Sequence, residues 1–183
     1  MRAGAPHTGQ WRAAKRAGAS PRGGVGAAPV WGGAALALTK IYTVGFTHKT
    51  AEQFFELLRR HGVRRLLDVR LNNTSQLAGF SKKADLAYFL KQILGADYLH
   101  EPLLAPTEGL LKAYQKGKIS WAEYEAGFLS LMRERRVEQR VDRGWFSRPT
   151  VLLCSEPTPE RCHRRLVAEY LAQRWGDLEV VHL

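Results

Sequence analysis

Five short apolar runs are spaced along the chain, and between them apolar residues recur at helical intervals. The runs are Ile41–Gly45, Arg65–Val69, Asp97–His100, Thr150–Cys154 and Glu179–His182. The first, second and fourth are rich in β-branched and aliphatic residues, as strands buried on both faces are. Between the first two, Thr50-Ala51-Glu52-Gln53 forms a capping box ahead of Phe54, Phe55, Leu57 and Leu58, and Gly62 ends that helix. Ser81 is expected to cap a second helix carrying Leu86, Phe89, Leu90 and Ile93, closed by Gly95. Two more helices are expected, over 107–116 and after the capping box Ser120-Trp121-Ala122-Glu123. Thr158 followed by Pro159 reads as the start of the last helix, which ends near Gly176. Strands alternating with helices predict right-handed crossovers: an α/β single domain over 41–183, its mostly parallel sheet of about five strands covered by helices on both faces. Strand order is not encoded in this pattern.

The stretch from Thr150 to Leu171 concentrates the chemistry. Cys154 and Glu156 fall at the carboxyl end of a strand, and Cys162, His163 and Arg164 fall on the expected first two turns of the following helix. At 100° per residue Cys162, His163, Leu166, Val167, Tyr170 and Leu171 share one half of that helix. Arg164 lies at the edge of this half, while Arg161, Arg165 and Glu169 lie on the far side. In an open α/β sheet ligands bind beyond the carboxyl ends of the strands. The other strands deliver Thr47 and His48, Arg70 with Asn72 and Asn73, and His100 with Glu101 to the same edge.

Net charge modifies the picture chiefly at one end. The chain carries +11, but residues 1–40 hold six of the 28 basic residues and no acid, leaving 22 against 17 acids, or +5, for the rest. This Ala-, Gly- and Arg-rich extension lacks apolar periodicity and is expected to be disordered or a mispredicted start; a targeting segment or a nucleic-acid-binding arm are the alternatives. No stretch reads as a membrane span, and the expected location is cytoplasmic. Between Arg133 and Arg143, Glu134, Glu138 and Asp142 interleave with the arginines, which reads as a solvated helix face rather than a nucleic-acid stripe.

The two cysteines admit four roles: small buried hydrophobes, a nucleophile, a metal site with His163, or a redox pair. No CxxC pair and no fourth ligand accompany Cys154, Cys162 and His163, so no metal is assigned. A Cys-x5-Arg phosphatase signature is absent, because Glu160 stands six residues after Cys154 and Arg161 seven. The helical stripe favours Cys162 as packing and Cys154 as the functional thiol. Arg70 reads either as a surface ion pair or as an anion contact, and Asp68 inside its strand reads as a structural hydrogen-bonding group more than as an acid–base residue.

From Ile41 to Leu183 the chain resembles the family called domain of unknown function 488. The resemblance rests on Ile41-Tyr-Thr-Val-Gly45, Leu67-Asp-Val-Arg70, Leu71-Asn-Asn73 with Gly79-Phe80, and above all Cys154-Ser-Glu156 with Cys162-His-Arg164. The family often carries Gly-His-Ser after the first strand, where this chain has Gly45-Phe46-Thr47 and a histidine only at His48. The resemblance implies an α/β fold and these positions, without a substrate. The reading is an enzyme or binding domain for a small anionic, phosphate-bearing or nucleotide-like ligand. Cys154, Glu156 and His163 are the expected reactive residues, and Arg70, Asn72, Asn73, Arg164, His48 and Glu101 the expected ligand contacts. No cofactor is assigned. The alternative is a non-catalytic basic module associated with nucleic acid.

Overall fold

The computed structural model describes residues 39–74 and 79–183. Five parallel strands form one sheet: β1 (Thr39–Gly45), β2 (Arg65–Asp68), β3 (Asp97–His100), β4 (Thr150–Cys154) and β5 (Leu178–His182), in spatial order β3-β2-β4-β1-β5. Helices α1 (Ala51–Arg60) and α2 (Lys83–Phe89) follow β1 and β2. Helices α3 (Glu108–Gln115), α4 (Trp121–Glu134) and α5 (Val137–Arg140) lie between β3 and β4, and α6 (His163–Trp175) follows β4. The α/β class, the parallel sheet and the strand positions agree with the sequence pattern. Apart from Thr39 and Lys40, the extension falls outside the described residues. Those two already pair with Leu178 and Glu179 of β5, so the sheet starts before its first apolar residue. No helix among the described residues is long and apolar enough to cross a membrane.

Side chains alternate across a strand, so each strand feeds two cores. Tyr42, Val44, Leu66, Val151 and Leu153 pack with Phe54, Phe55 and Leu58 of α1 and Leu86 of α2. On the other face Ile41, Leu67 and Leu152 pack with Phe128 and Met132 of α4 and Leu166, Val167 and Leu171 of α6. β4, central and wholly buried, therefore sends its chain to one face while its neighbours β1 and β2 send theirs to the other. Such a divergence opens a crevice at the carboxyl ends of the strands. The crevice is the structural fact on which the site depends.

Two local expectations are corrected. Ser81 does not cap α2: it sits in a 3-10 turn, Gly79–Ser81, and α2 starts after Lys82. The reason lies in Arg70, whose guanidinium donates to the Ser81 carbonyl at 2.8 Å and holds that peptide outside the helix. Likewise Thr158-Pro159 does not open α6. Cys162 is its N-cap, extended at φ −136° and ψ 133°, and His163 is its first residue. The Cys162 N–H bonds the Pro159 carbonyl at 3.2 Å, so residues 159–162 close one turn that the helix does not continue.

Candidate active site at the switch point

A cavity of about 470 Å³ occupies the crevice beyond β1, β2 and β4. Cys154, Cys162, His163 and Arg70 line its floor, Ser155, Glu156 and Arg161 one rim, Thr47 and Asn72 another, and Tyr114, Trp121 and Tyr124 its far wall. The wall exists because the capping box at Ser120 starts α4 at Trp121, which places Trp121 and Tyr124 three residues apart on one face. Their rings stack at 5.3 Å, and Tyr114 of α3 meets both, at 5.6 and 5.0 Å. A second cavity of about 470 Å³ lies between α1 and α2, but Phe55, Phe80, Phe89 and Ile93 dominate it and it holds no nucleophile. Of these two cavities, the first gathers the cysteines and the histidine.

On the floor, His163 Nε2 lies 2.8 Å from the Val69 carbonyl, which can only accept, so Nε2 carries the hydrogen. The other ring nitrogen, Nδ1, faces Cys154 Sγ at 3.6 Å. The His163 ring meets Phe128 edge-on at 5.6 Å, which fixes its plane. The Cys162 thiol bonds Cys154, and this holds the Cys154 pKa below the ordinary thiol value against the effect of burial; the Glu156 N–H, the Arg164 charge and the Ser155 N–H act in the same direction. Burial, followed by the bond to Cys154 and its charge, pushes the Cys162 thiol up. Cys154 is thus the more acidic thiol of the pair and Cys162 its hydrogen-bond donor.

The arginines are placed differently from expectation. Arg164 is wholly buried rather than at a helix edge, and it does not line the cavity. Its Nη1 donates to the Glu156 carbonyl at 2.6 Å and Nη2 to the Pro157 carbonyl at 3.5 Å, while Nε has no partner. Its role is to hold the β4–α6 loop from beneath. Gly45 makes this possible: a side chain there would overlap the Glu156 carbonyl oxygen and stand 3.1 Å from Arg164 Nη1.

Arg70 lines the cavity, yet Asp68 occupies much of its guanidinium, Nε to Oδ1 at 2.8 Å and Nη2 to Oδ2 at 2.7 Å, and Phe46 stacks beneath it at 5.2 Å. Burial opposes the Arg70 charge, but those bonds and the Asp68 field raise its pKa nonetheless. Asp68 also accepts from the Tyr98 hydroxyl at 2.6 Å, so it is a structural hub, as its place inside a strand suggested.

Of the other expected contacts, Asn72 and Glu156 stand at the cavity. Asn73 is buried and donates to Tyr98, Glu101 accepts from the Leu103 N–H and caps a 3-10 turn, and exposed His48, at φ 63°, does not line the cavity. Arg161 was assigned to the solvent face of α6 because the helix was expected to begin at Pro159. It instead lies in the turn before α6 and lines the cavity, with no hydrogen-bond or ion-pair partner among the described residues. The aromatic wall was also missed: its helical spacing reads as core packing, and only the fold reveals that it faces a cavity.

Two cysteines, a histidine and an aromatic wall gather around one cavity at a topological switch point, and the class is that of an α/β domain. A family model described as "Domain of unknown function DUF488" matches residues 50–171, two thirds of the chain. The chain belongs to that family. No curated protein and no solved structure matches it.

Proposed function

We propose that this protein is an enzyme whose cavity receives a small ring-bearing anion of nucleotide-like size, with Cys154 and His163 as its reactive centre. The observation that carries the reading is the arrangement of the cavity. An apolar, π-faced wall of Tyr114, Trp121 and Tyr124 stands opposite a floor carrying Cys154 and His163, and Arg161 is unpaired at the rim. Stacking on the wall would hold a ring, and the Arg161 fork suits a phosphate or carboxylate at the entrance. Asn72 and Glu156 supply polar contacts at the mouth. The volume is within the range of small-ligand sites.

The nucleic-acid reading has less support. Arg143 pairs with Asp177, Arg148 with Asp97, and Arg165 with Glu125 and Glu169, so these basic groups are locally neutralised. A thermal-shift titration tests both readings. Nucleoside monophosphates should stabilise the full chain saturably, beyond chloride at matched ionic strength. Arg161→Ala and Trp121→Ala should each weaken that binding by about tenfold or more, the scale of one charged contact or one stacked ring. Arg165→Ala, outside the cavity, should leave it unchanged. Equal losses in all three variants, or stabilisation by oligonucleotide alone with a steep salt slope, would overturn the reading.

A further inference from the structure

We infer that Cys154, Cys162 and His163 form a binding site for one divalent, zinc-class cation, with a fourth coordination position open to the cavity. The donor atoms of these three buried residues all lie within 4.8 Å of one another. A tetrahedral zinc ion with Zn–S of about 2.3 Å and Zn–N of about 2.1 Å holds sulfur and nitrogen about 3.6 Å apart. The Cys154 Sγ to His163 Nδ1 separation is 3.6 Å. The spacing of this pair therefore suits a shared cation, and the third donor lies within 4.8 Å of both.

The second shell agrees. Metal-ligating histidines donate their other ring nitrogen to a carboxylate or backbone carbonyl, which fixes the tautomer and aims the free lone pair. His163 does this through Nε2 and the Val69 carbonyl at 2.8 Å, leaving Nδ1 free on the side of the two thiols. Sequence spacing conceals the set, since seven residues separate the cysteines and no CxxC occurs. The strand end brings Cys154, and the extended N-cap brings Cys162 together with His163, to the same point. The missing fourth protein ligand, which argued against a metal in the sequence, has another meaning here. All three residues line the cavity, so the remaining position faces a space large enough for water or substrate. Three protein ligands and one open position are the pattern of catalytic rather than structural zinc. Two thiolates and one imidazole favour zinc over magnesium or calcium, which require oxygen ligands.

The inference deepens the proposed function, since a cation there would be the Lewis acid of the reactive centre, and it rests on that reading only for this role. Metal binding itself is measured without any organic ligand, so the two stand or fall separately. The full chain, reduced with a phosphine and stripped with chelator, is titrated with Zn²⁺ alone and with Co²⁺ alone. Expected are one ion per chain and the visible absorption of a tetrahedral Co²⁺–thiolate centre. Cys154→Ser, Cys162→Ser and His163→Gln should each weaken binding by more than the roughly 10–100-fold that second-shell changes produce. Circular dichroism establishes which variants remain folded, and any one folded variant suffices to decide. His61→Gln, whose Nδ1 meets the Leu57 carbonyl on α1, should bind normally. No stoichiometric ion, a Co²⁺ spectrum without thiolate bands, or full affinity in a folded Cys154→Ser or His163→Gln variant would overturn the inference.

Discussion

Asp68→Ala is expected to lower the melting temperature by about 10 °C. Asp68 is fully buried, and it accepts two guanidinium bonds from Arg70, the Arg70 backbone N–H at 3.1 Å and the Tyr98 hydroxyl. Truncating it leaves Arg70, only 4% exposed, as a buried cation without its counter-charge. Removing one partner of a buried pair costs about 3–5 kcal/mol, and each kcal/mol corresponds to about 2–4 °C for a chain of this size. The Arg70 bond to the Ser81 carbonyl depends on the same placement, so the turn leading into α2 should loosen as well. Asp97→Ala provides the contrast. Its pair with Arg148 lies at the surface, its 3.7 Å contact with the largely buried Arg65 is longer, and Asp97 itself is 41% exposed; exposed pairs contribute about 0–1 kcal/mol. Thermal unfolding of the two variants checks the claim, and equal shifts would contradict it.

Gly45→Ala is expected to destabilise by about 3 kcal/mol and to weaken ligand and metal binding together. No rotamer can relieve a Cβ placed on the Glu156 carbonyl, so backbone has to move, and overpacking of this kind costs about 1–3 kcal/mol or more. The displaced carbonyl is the acceptor of Arg164 at 2.6 Å, and the same loop carries Cys154 to Cys162. A methyl group at Gly45 therefore acts on the site through the loop. Gly109→Ala in α3 is the control. Nothing lies within 4 Å of the added atom, and alanine for glycine inside a helix stabilises by up to about 1 kcal/mol. Denaturant unfolding of both variants should give shifts of opposite sign.

Much of the fold was legible because it depends on local and periodic signals. The two capping boxes at Thr50 and Ser120 are present as their sequences require, with both reciprocal bonds formed, and Gly95 closes its helix in the left-handed region. The apolar stripe of α6 is buried as its spacing predicted. The start of α6 was not legible, because Thr158-Pro159 carries a sound local signal that a non-local contact overrides. The buried Arg164 holds two carbonyls of that loop, and no spacing rule anticipates a fully buried arginine at a helix edge. From that one error followed the misplacement of Arg161, seen as a solvent residue though it lines the cavity, and of Arg164, seen as a ligand contact though it is a structural clamp. Cys154, His163, Asn72 and Glu156 were placed at the cavity because strand ends converge in any parallel sheet. The aromatic wall depends on α3 and α4 folding over β4, and therefore on a strand order that the sequence does not specify.

The central claim is that, of the two cysteines on the floor of the cavity, Cys154 is the reactive thiol and Cys162 the less acidic donor beside it. Alkylation by iodoacetate in the reduced full chain, with chelator present and the two cysteines resolved by peptide mass spectrometry, tests it directly. Cys154 lines the cavity with its pKa held down by the Cys162 bond, and burial pushes the Cys162 thiol up. The account predicts that Cys154 reacts at least about tenfold faster than Cys162, a factor corresponding to one pKa unit or more between the thiols, and that a nucleoside monophosphate slows Cys154 saturably. Equal rates for the two cysteines, or a Cys154 rate unaffected by nucleotide, would contradict it.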